Sequence, residues 1–123
     1  IYFTAAGLFD ILAENTFGKR QNKDSDVFEH IYDCDLLIID DLGTELPNSF
    51  TVSQLFICLN ERILRQKSTI ISTNLALDDI KTIYSERTFS RISSNYTILR
   101  ITGDDIRIQK KLLNLGGTND VTP

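Results

Sequence analysis

The pair Asp40-Asp41 has the residue types and the setting for chemistry, because an unbroken aliphatic run, Leu36-Leu37-Ile38-Ile39, ends abruptly in two carboxylates. Four large aliphatics are too few for a buried helix and show no alternation. They read as a strand covered on both faces, as at the centre of a parallel sheet. The acids then emerge at its C-terminal edge, where open α/β sheets bind their ligands. One carboxylate in such a pair can hold a Mg²⁺ that bridges phosphates, usually through water, and the other can orient or deprotonate an attacking water. On that logic Asp40 is the metal-side acid and Asp41 the water-side acid. The plainer alternative is a strand running into a turn.

Two further groups fit the same chemistry. Thr69-Ile70-Ile71-Ser72-Thr73-Asn74 is short and β-branched, reads as a second buried parallel strand, and delivers Asn74 to the same sheet edge, where its amide can help position the water. Arg87 and Arg91 lie four apart on a short helical stretch and can share one side of it. A guanidinium supplied by a neighbouring subunit stabilises the charge that spreads over a transferring phosphoryl group. The alternative is that both are solvated helix arginines, one of them paired with Glu86.

The elements that must position these groups follow in order. Ile1 to Thr4 reads as a strand, followed by a helix with Leu8, Phe9, Ile11 and Leu12 on one face and Gly18 as its terminator. Residues Lys19 to Asp26 are polar and charged, a loop, after which Ser25 or Asp26 can cap a short helix carrying Val27, Phe28 and Ile31. His30, the single histidine, reads as a surface or packing residue. Asn48 or Ser49 can cap the clearest amphipathic helix, in which Val52, Leu55, Phe56, Leu59 and Ile63 recur at helical spacing to about Gln66. Two short helices, one opening at Leu77 and one from about Ser85 to Ser93, precede an alternating strand, Tyr96 to Ile101. A final helical stretch runs from Gly103 to about Leu115, and residues 116–123 read as a flexible tail. Alternating strands and helices of this kind make an α/β domain with a parallel sheet and helices on both faces.

Composition restricts the classes of function. With 41% hydrophobic and 24% charged residues, the chain has the make-up of a globular domain. A net charge of −4 gives no global attraction to nucleic acid, although Arg62, Arg65 and Lys67 form a local basic patch that could touch phosphates or simply end a helix in solvent. Cys34 and Cys58 belong to no metal-binding spacing, so neither a zinc site nor a disulfide scaffold is expected. No apolar run reaches the roughly 20 residues needed to span a bilayer, and with no signal peptide visible a cytoplasmic location is the default expectation.

The segments Asp35 to Glu45, Ser72-Thr73-Asn74-Leu75, Glu86 to Ile92 and Gly103-Asp104-Asp105-Ile106-Arg107 together resemble the AAA+ ATPase domain of the DnaC/DnaI helicase loaders and the related IstB transposition helpers. Tyr2 to Asp10 also resembles the second strand and following helix of that family. The resemblance implies a P-loop NTPase (AAA+) three-layer α/β sandwich over residues 1–115, incomplete at its N-terminus. It implies Asp40 and Asp41 as the Walker B acids, Asn74 as sensor 1, Arg91 as the arginine finger, Arg87 as a second trans-acting arginine and Arg107 as a sensor 2 candidate. The implied cofactors are ATP and Mg²⁺. The implied partners are a replicative helicase hexamer, single-stranded DNA and further copies of the chain met through the arginine-finger face. One departure matters: Gly-x-x-x-x-Gly-Lys-Ser/Thr is absent, since Gly18-Lys19 is followed by Arg20 and has Ala13 at the position of the first glycine. Asp40 and Asp41 act on a phosphate they do not themselves hold, so these 123 residues are not expected to bind or hydrolyse ATP usefully. A nucleotide titration giving micromolar, Mg²⁺-dependent affinity would overturn that expectation.

Overall fold

The computed structural model describes residues 1–17, 25–103 and 113. In chain order the elements are β1 (Tyr2–Thr4), α1 (Ala5–Phe17), α2 (Ser25–Asp33), β2 (Leu36–Leu42), α3 (Ser49–Leu64), β3 (Ser68–Thr73), α4 (Leu77–Tyr84) and α5 (Glu86–Asn95). Gly18, most of the polar loop, the stretch from Asp104 to Leu112 with Arg107, and the 116–123 tail lie outside the described residues.

The strands form one parallel sheet in the order β1-β2-β3. Tyr2, Ile38 and Ile70 stand side by side across it, as do Leu36 of β2 and Ser68 of β3. Helix α1 packs on β1 and β2, α3 packs on β3, and α3 also touches α1 and α2, so these helices make one layer. Right-handed crossovers between successive neighbouring strands put their helices on the same side, which accounts for the arrangement.

The core lies between that layer and the sheet. Leu37 and Ile39 meet Ala5, Leu8, Phe9 and Leu12 of α1 and Leu55, Cys58 and Leu59 of α3. Burial pushes the Cys58 thiol up to about 12. On the opposite sheet face Tyr2, Leu36 and Ile70 are 57%, 40% and 52% exposed. The expected cover on both faces of the Leu36 strand is therefore present on one face among the described residues. The cause is connectivity, which a run of apolar residues does not encode.

Local signals predicted the helices well. Asn48 caps α3 in a reciprocal pair: its side-chain oxygen accepts from the Thr51 N–H at 2.9 Å, and Thr51 Oγ1 accepts from the Asn48 N–H at 2.9 Å. The buried stripe of α3 is Thr51, Leu55, Cys58, Leu59 and Arg62, rotated slightly from the expected one, with Val52 and Phe56 on its flank.

Two expectations are corrected. Residues 96–101 are not a strand: the backbone pairs with none of the three strands, and Ile98, Leu99 and Ile101 are 46%, 79% and 92% exposed. Alternation supplies two faces, but a strand also needs a neighbour for its backbone hydrogen bonds. Arg62, Arg65 and Lys67 are likewise not a helix end left in solvent, nor a free basic patch. Arg62 is fully buried, Arg65 pairs with Glu61 and Glu29 at 2.9 and 3.3 Å, and Lys67 pairs with Asp35 at 3.6 Å.

Candidate functional site

The C-terminal edge of the sheet carries the two acids, and a bulge makes room for both. In a regular strand adjacent side chains point to opposite faces, so one of two consecutive acids would be driven into the helix layer with Leu37 and Ile39. Between Ile39 and Leu42 the register with β3 shifts, and two residues instead of one separate two buried side chains. Asp41 takes up the extra residue with φ +58°, a left-handed conformation that costs a non-glycine residue about 1 kcal/mol. Asp40 is thereby left half-exposed and Asp41 exposed.

The acids differ in surroundings. Both carboxylate oxygens of Asp40 accept protein hydroxyls: Tyr2 from β1 donates to Oδ2 at 2.5 Å, and Ser72 from β3 donates to Oδ1. The Ser72 hydroxyl, with the Tyr2 phenol second, holds the Asp40 carboxyl below its usual range. Tyr2 itself is shifted upward, mainly by that same hydrogen bond. Ser72 Oγ also accepts the Asp41 backbone N–H at 3.0 Å. The Asp41 backbone carbonyl accepts from Thr44 Oγ1 at 2.8 Å, while its carboxylate faces outward.

The loop after the acids is closed by a second carboxylate. Gly43 N–H donates to Glu45 Oε2 at 3.0 Å, and the buried Tyr84 of α4 donates its hydroxyl to Glu45 Oε1. Burial first, then the Glu45 carboxylate, raises the Tyr84 phenol well above its ordinary range. Gly43 is required on two counts: φ is +103°, and a Cβ there would sit 2.6 Å from Leu75 Cδ1. Gly43→Ala is expected to destabilise the chain by about 1–3 kcal/mol through overpacking and backbone strain. A thermal melt within a degree of wild type would remove that role for Gly43.

Asn74 is exposed and follows directly on β3, whose Thr73 is the register partner of Leu42, so it stands at the same edge as the acids. On α5, Thr88 and Ile92 are buried while Arg87 and Arg91 are exposed. The Arg87 guanidinium lies 4.2 Å from the centroid of the Phe56 ring of α3, a cation–π contact within its own chain. Glu86 pairs with Lys81 at 3.3 Å, so it is not the partner of either arginine. Among the described residues no carboxylate pairs with Arg91.

Sequence reasoning did not single out Tyr2, Ser72, Glu45 or Tyr84 as parts of this edge. Glu45, Ser72 and Tyr2 lay within quoted segments without a role of their own, and Tyr84 lay outside them. Tyr2, Ser72 and Tyr84 are joined to Asp40 and Glu45 across 32 to 39 residues of sequence, and only the sheet register and helix packing bring them together.

Asp40 suits a cation held through water, because both its oxygens already accept hydroxyls but keep lone pairs, and Asp41 offers an unencumbered carboxylate beside it. A parallel sheet with two acids ending an inner strand and an amide ending its neighbour has the P-loop NTPase type of α/β fold, here in part. Among solved structures the chain is similar to the DnaC helicase loader, with a TM-score of 0.70 and 23% sequence identity over 82% of this chain. That likeness establishes the fold. The match takes in 60% of the helicase loader's chain. No protein-family model matches the sequence, and no curated protein does.

Proposed function

We propose that this chain is the ATPase-fold portion of a helicase loader acting in DNA replication. It would work in an oligomer and use ATP and Mg²⁺ to place a replicative helicase hexamer on single-stranded DNA in the cytoplasm. The observation that carries the reading is the pair of outward-facing acids at the end of β2 beside Asn74, on a fold shared with a helicase loader.

Each group has a role within it. Bound Mg²⁺ would neutralise charge developing on the phosphates. Asp40 would hold the metal's water, Asp41 would orient or deprotonate the attacking water, and Asn74 would fix that water from the next strand. Arg91, exposed and with no carboxylate partner among the described residues, would reach a neighbour's site, with Arg87 as a second arginine on the same side of α5. Arg107 would act as sensor 2. Among the described residues no helix is long and apolar enough to cross a membrane.

ATP hydrolysis by the full-length protein is the test. Asp41→Asn is expected to lower kcat by about 100-fold or more, the size of a lost general base. An inactive wild type, or a variant as active as wild type, ends the ATPase reading. The second reading is a non-catalytic, ATPase-like interaction module, favoured by the lack of a phosphate-cradling loop in these residues. An IstB-like transposition helper shares the fold and the acids, and binding to a transposase in place of a replicative helicase would distinguish it.

A further inference from the structure

We infer that Glu45 and Tyr84 are positioning residues whose hydrogen bond ties the turn carrying Asp41 to the elbow between α4 and α5, so that the acids and the arginine-bearing helix are set in place together. The inference rests on the proposed roles of Asp41 and Arg91. It goes beyond them by naming what joins the two groups within one chain.

The turn after β2 is a closed unit. The Asp41 carbonyl accepts from the Thr44 N–H at 3.3 Å and from Thr44 Oγ1 at 2.8 Å, and the Gly43 N–H donates to Glu45 Oε2 at 3.0 Å. Glu45 thus gives one oxygen to the turn itself. Its other oxygen, Oε1, accepts the Tyr84 hydroxyl across 39 residues of sequence. Tyr84 has no solvent exposure, so its hydroxyl needs a protein acceptor, and Glu45 supplies it.

The far end of that bond has no slack. Tyr84 is the last residue of α4, and Ser85 alone separates it from α5. Ser85 ends one helix and caps the next, where its hydroxyl oxygen accepts the Thr88 N–H at 3.4 Å. Lys81 and Glu86 also bridge the two helices at 3.3 Å. A displacement of Tyr84 therefore passes into α5, where Arg87 and Arg91 stand exposed within about two turns.

Backbone strain lies on both sides of the contact. Asp41 has φ +58° and Ser85 has φ +96°, conformations that a residue with a side chain keeps only where its surroundings hold it. Asp41 belongs to the turn that Glu45 closes, and Ser85 adjoins Tyr84. One hydrogen bond supports both.

Amide hydrogen exchange of the 123-residue chain, read residue by residue by NMR, tests the tie without any need for turnover. Tyr84→Phe removes the hydroxyl and keeps the buried ring. It is expected to speed exchange at Gly43 about tenfold, the size of a lost hydrogen bond to a charged group. Glu45→Ala acts from the other side and is expected to speed exchange about as much at Thr88 and Phe89, the amides that bond back to Ser85. Ile38 in β2 and Lys67 after α3, whose amides are bonded away from the contact, should keep their wild-type rates in both variants. Glu45 is half-buried, which keeps the test available if Tyr84→Phe fails to fold. Wild-type exchange at Gly43 in Tyr84→Phe, wild-type exchange in α5 in Glu45→Ala, or equal acceleration everywhere including Ile38 and Lys67 overturns the inference. In the full-length protein Tyr84→Phe is expected to lower kcat for ATP about tenfold with KM unchanged, since misplaced groups slow the chemical step. A kcat equal to wild type overturns the inference too, whereas a wild type without turnover ends the ATPase reading alone and leaves exchange to decide.

Discussion

Arg62→Ala is expected to lower the unfolding free energy by about 3–5 kcal/mol, enough to unfold much of a domain this small. The side chain is fully buried, and among the described residues no carboxylate neutralises it. Its charge is instead distributed over oxygens. Nη1 donates to the Ile31 carbonyl at 2.7 Å, Nη2 donates to the Cys34 and Ser68 carbonyls at 2.8 and 2.7 Å, and Nε donates to Thr69 Oγ1 at 2.9 Å. Cys34 Sγ lies 3.4 Å from Nη1. Ile31 is near the end of α2, Cys34 is in the turn before β2, and Ser68 opens β3, so one guanidinium satisfies carbonyls from three parts of the chain.

Alanine would remove the guanidinium donors from those carbonyls and open a cavity beneath α3, two costs that add. Arg62→Met separates them, since methionine refills much of the volume and restores no donor. Arg62→Lys keeps the charge but offers three rotatable donors in place of the planar fork, and an intermediate loss is expected. Urea denaturation of the three variants decides the matter. An alanine variant within 1 kcal/mol of wild type would show that the network does not hold these elements together.

Arg91→Ala is expected to lower ATP turnover of the assembled full-length protein by about 10³–10⁵-fold, the range seen when an arginine finger is removed. Folding should change by no more than about 0.5 kcal/mol, because the side chain is exposed and has no carboxylate partner among the described residues. Arg87→Ala should differ in both respects. It loses the contact with Phe56, costing roughly 0.5–1 kcal/mol of stability, with a smaller effect on turnover.

The trans character of Arg91 has its own measurement. Subunits carrying Asp41→Asn keep a working finger, and subunits carrying Arg91→Ala keep working acids, so mixing two nearly inactive variants should restore part of the activity at mixed interfaces. No restoration, or full activity of Arg91→Ala alone, would remove Arg91 from a neighbour's site. The stability measurements on Arg62 stand whichever way this falls.

Local patterns in the sequence were enough for most elements, because periodicity and capping act over three or four residues. The Asn48 cap, the α3 helix, the β2 and β3 strands and the two short helices α4 and α5 all lie close to where residue spacing put them. The acids at the end of β2 and the amide after β3 were legible for the same reason: an aliphatic run that stops in polar residues marks a strand edge wherever it occurs.

Tertiary structure alone decided what surrounds those groups. Whether Arg62 faces phosphate or carbonyls depends on acceptors 6 to 31 residues away. The segment 96–101 has a strand's alternation but, among the described residues, no neighbouring backbone to pair with. The bulge at Asp41 and the hydroxyls on Asp40 depend on how three strands are placed in register. The sequence by itself therefore determined which residues stand at the sheet edge. The packing of distant segments determined that Asp40 is clasped and Asp41 is free, since hydrogen bonds between strands form only after the chain has brought them together.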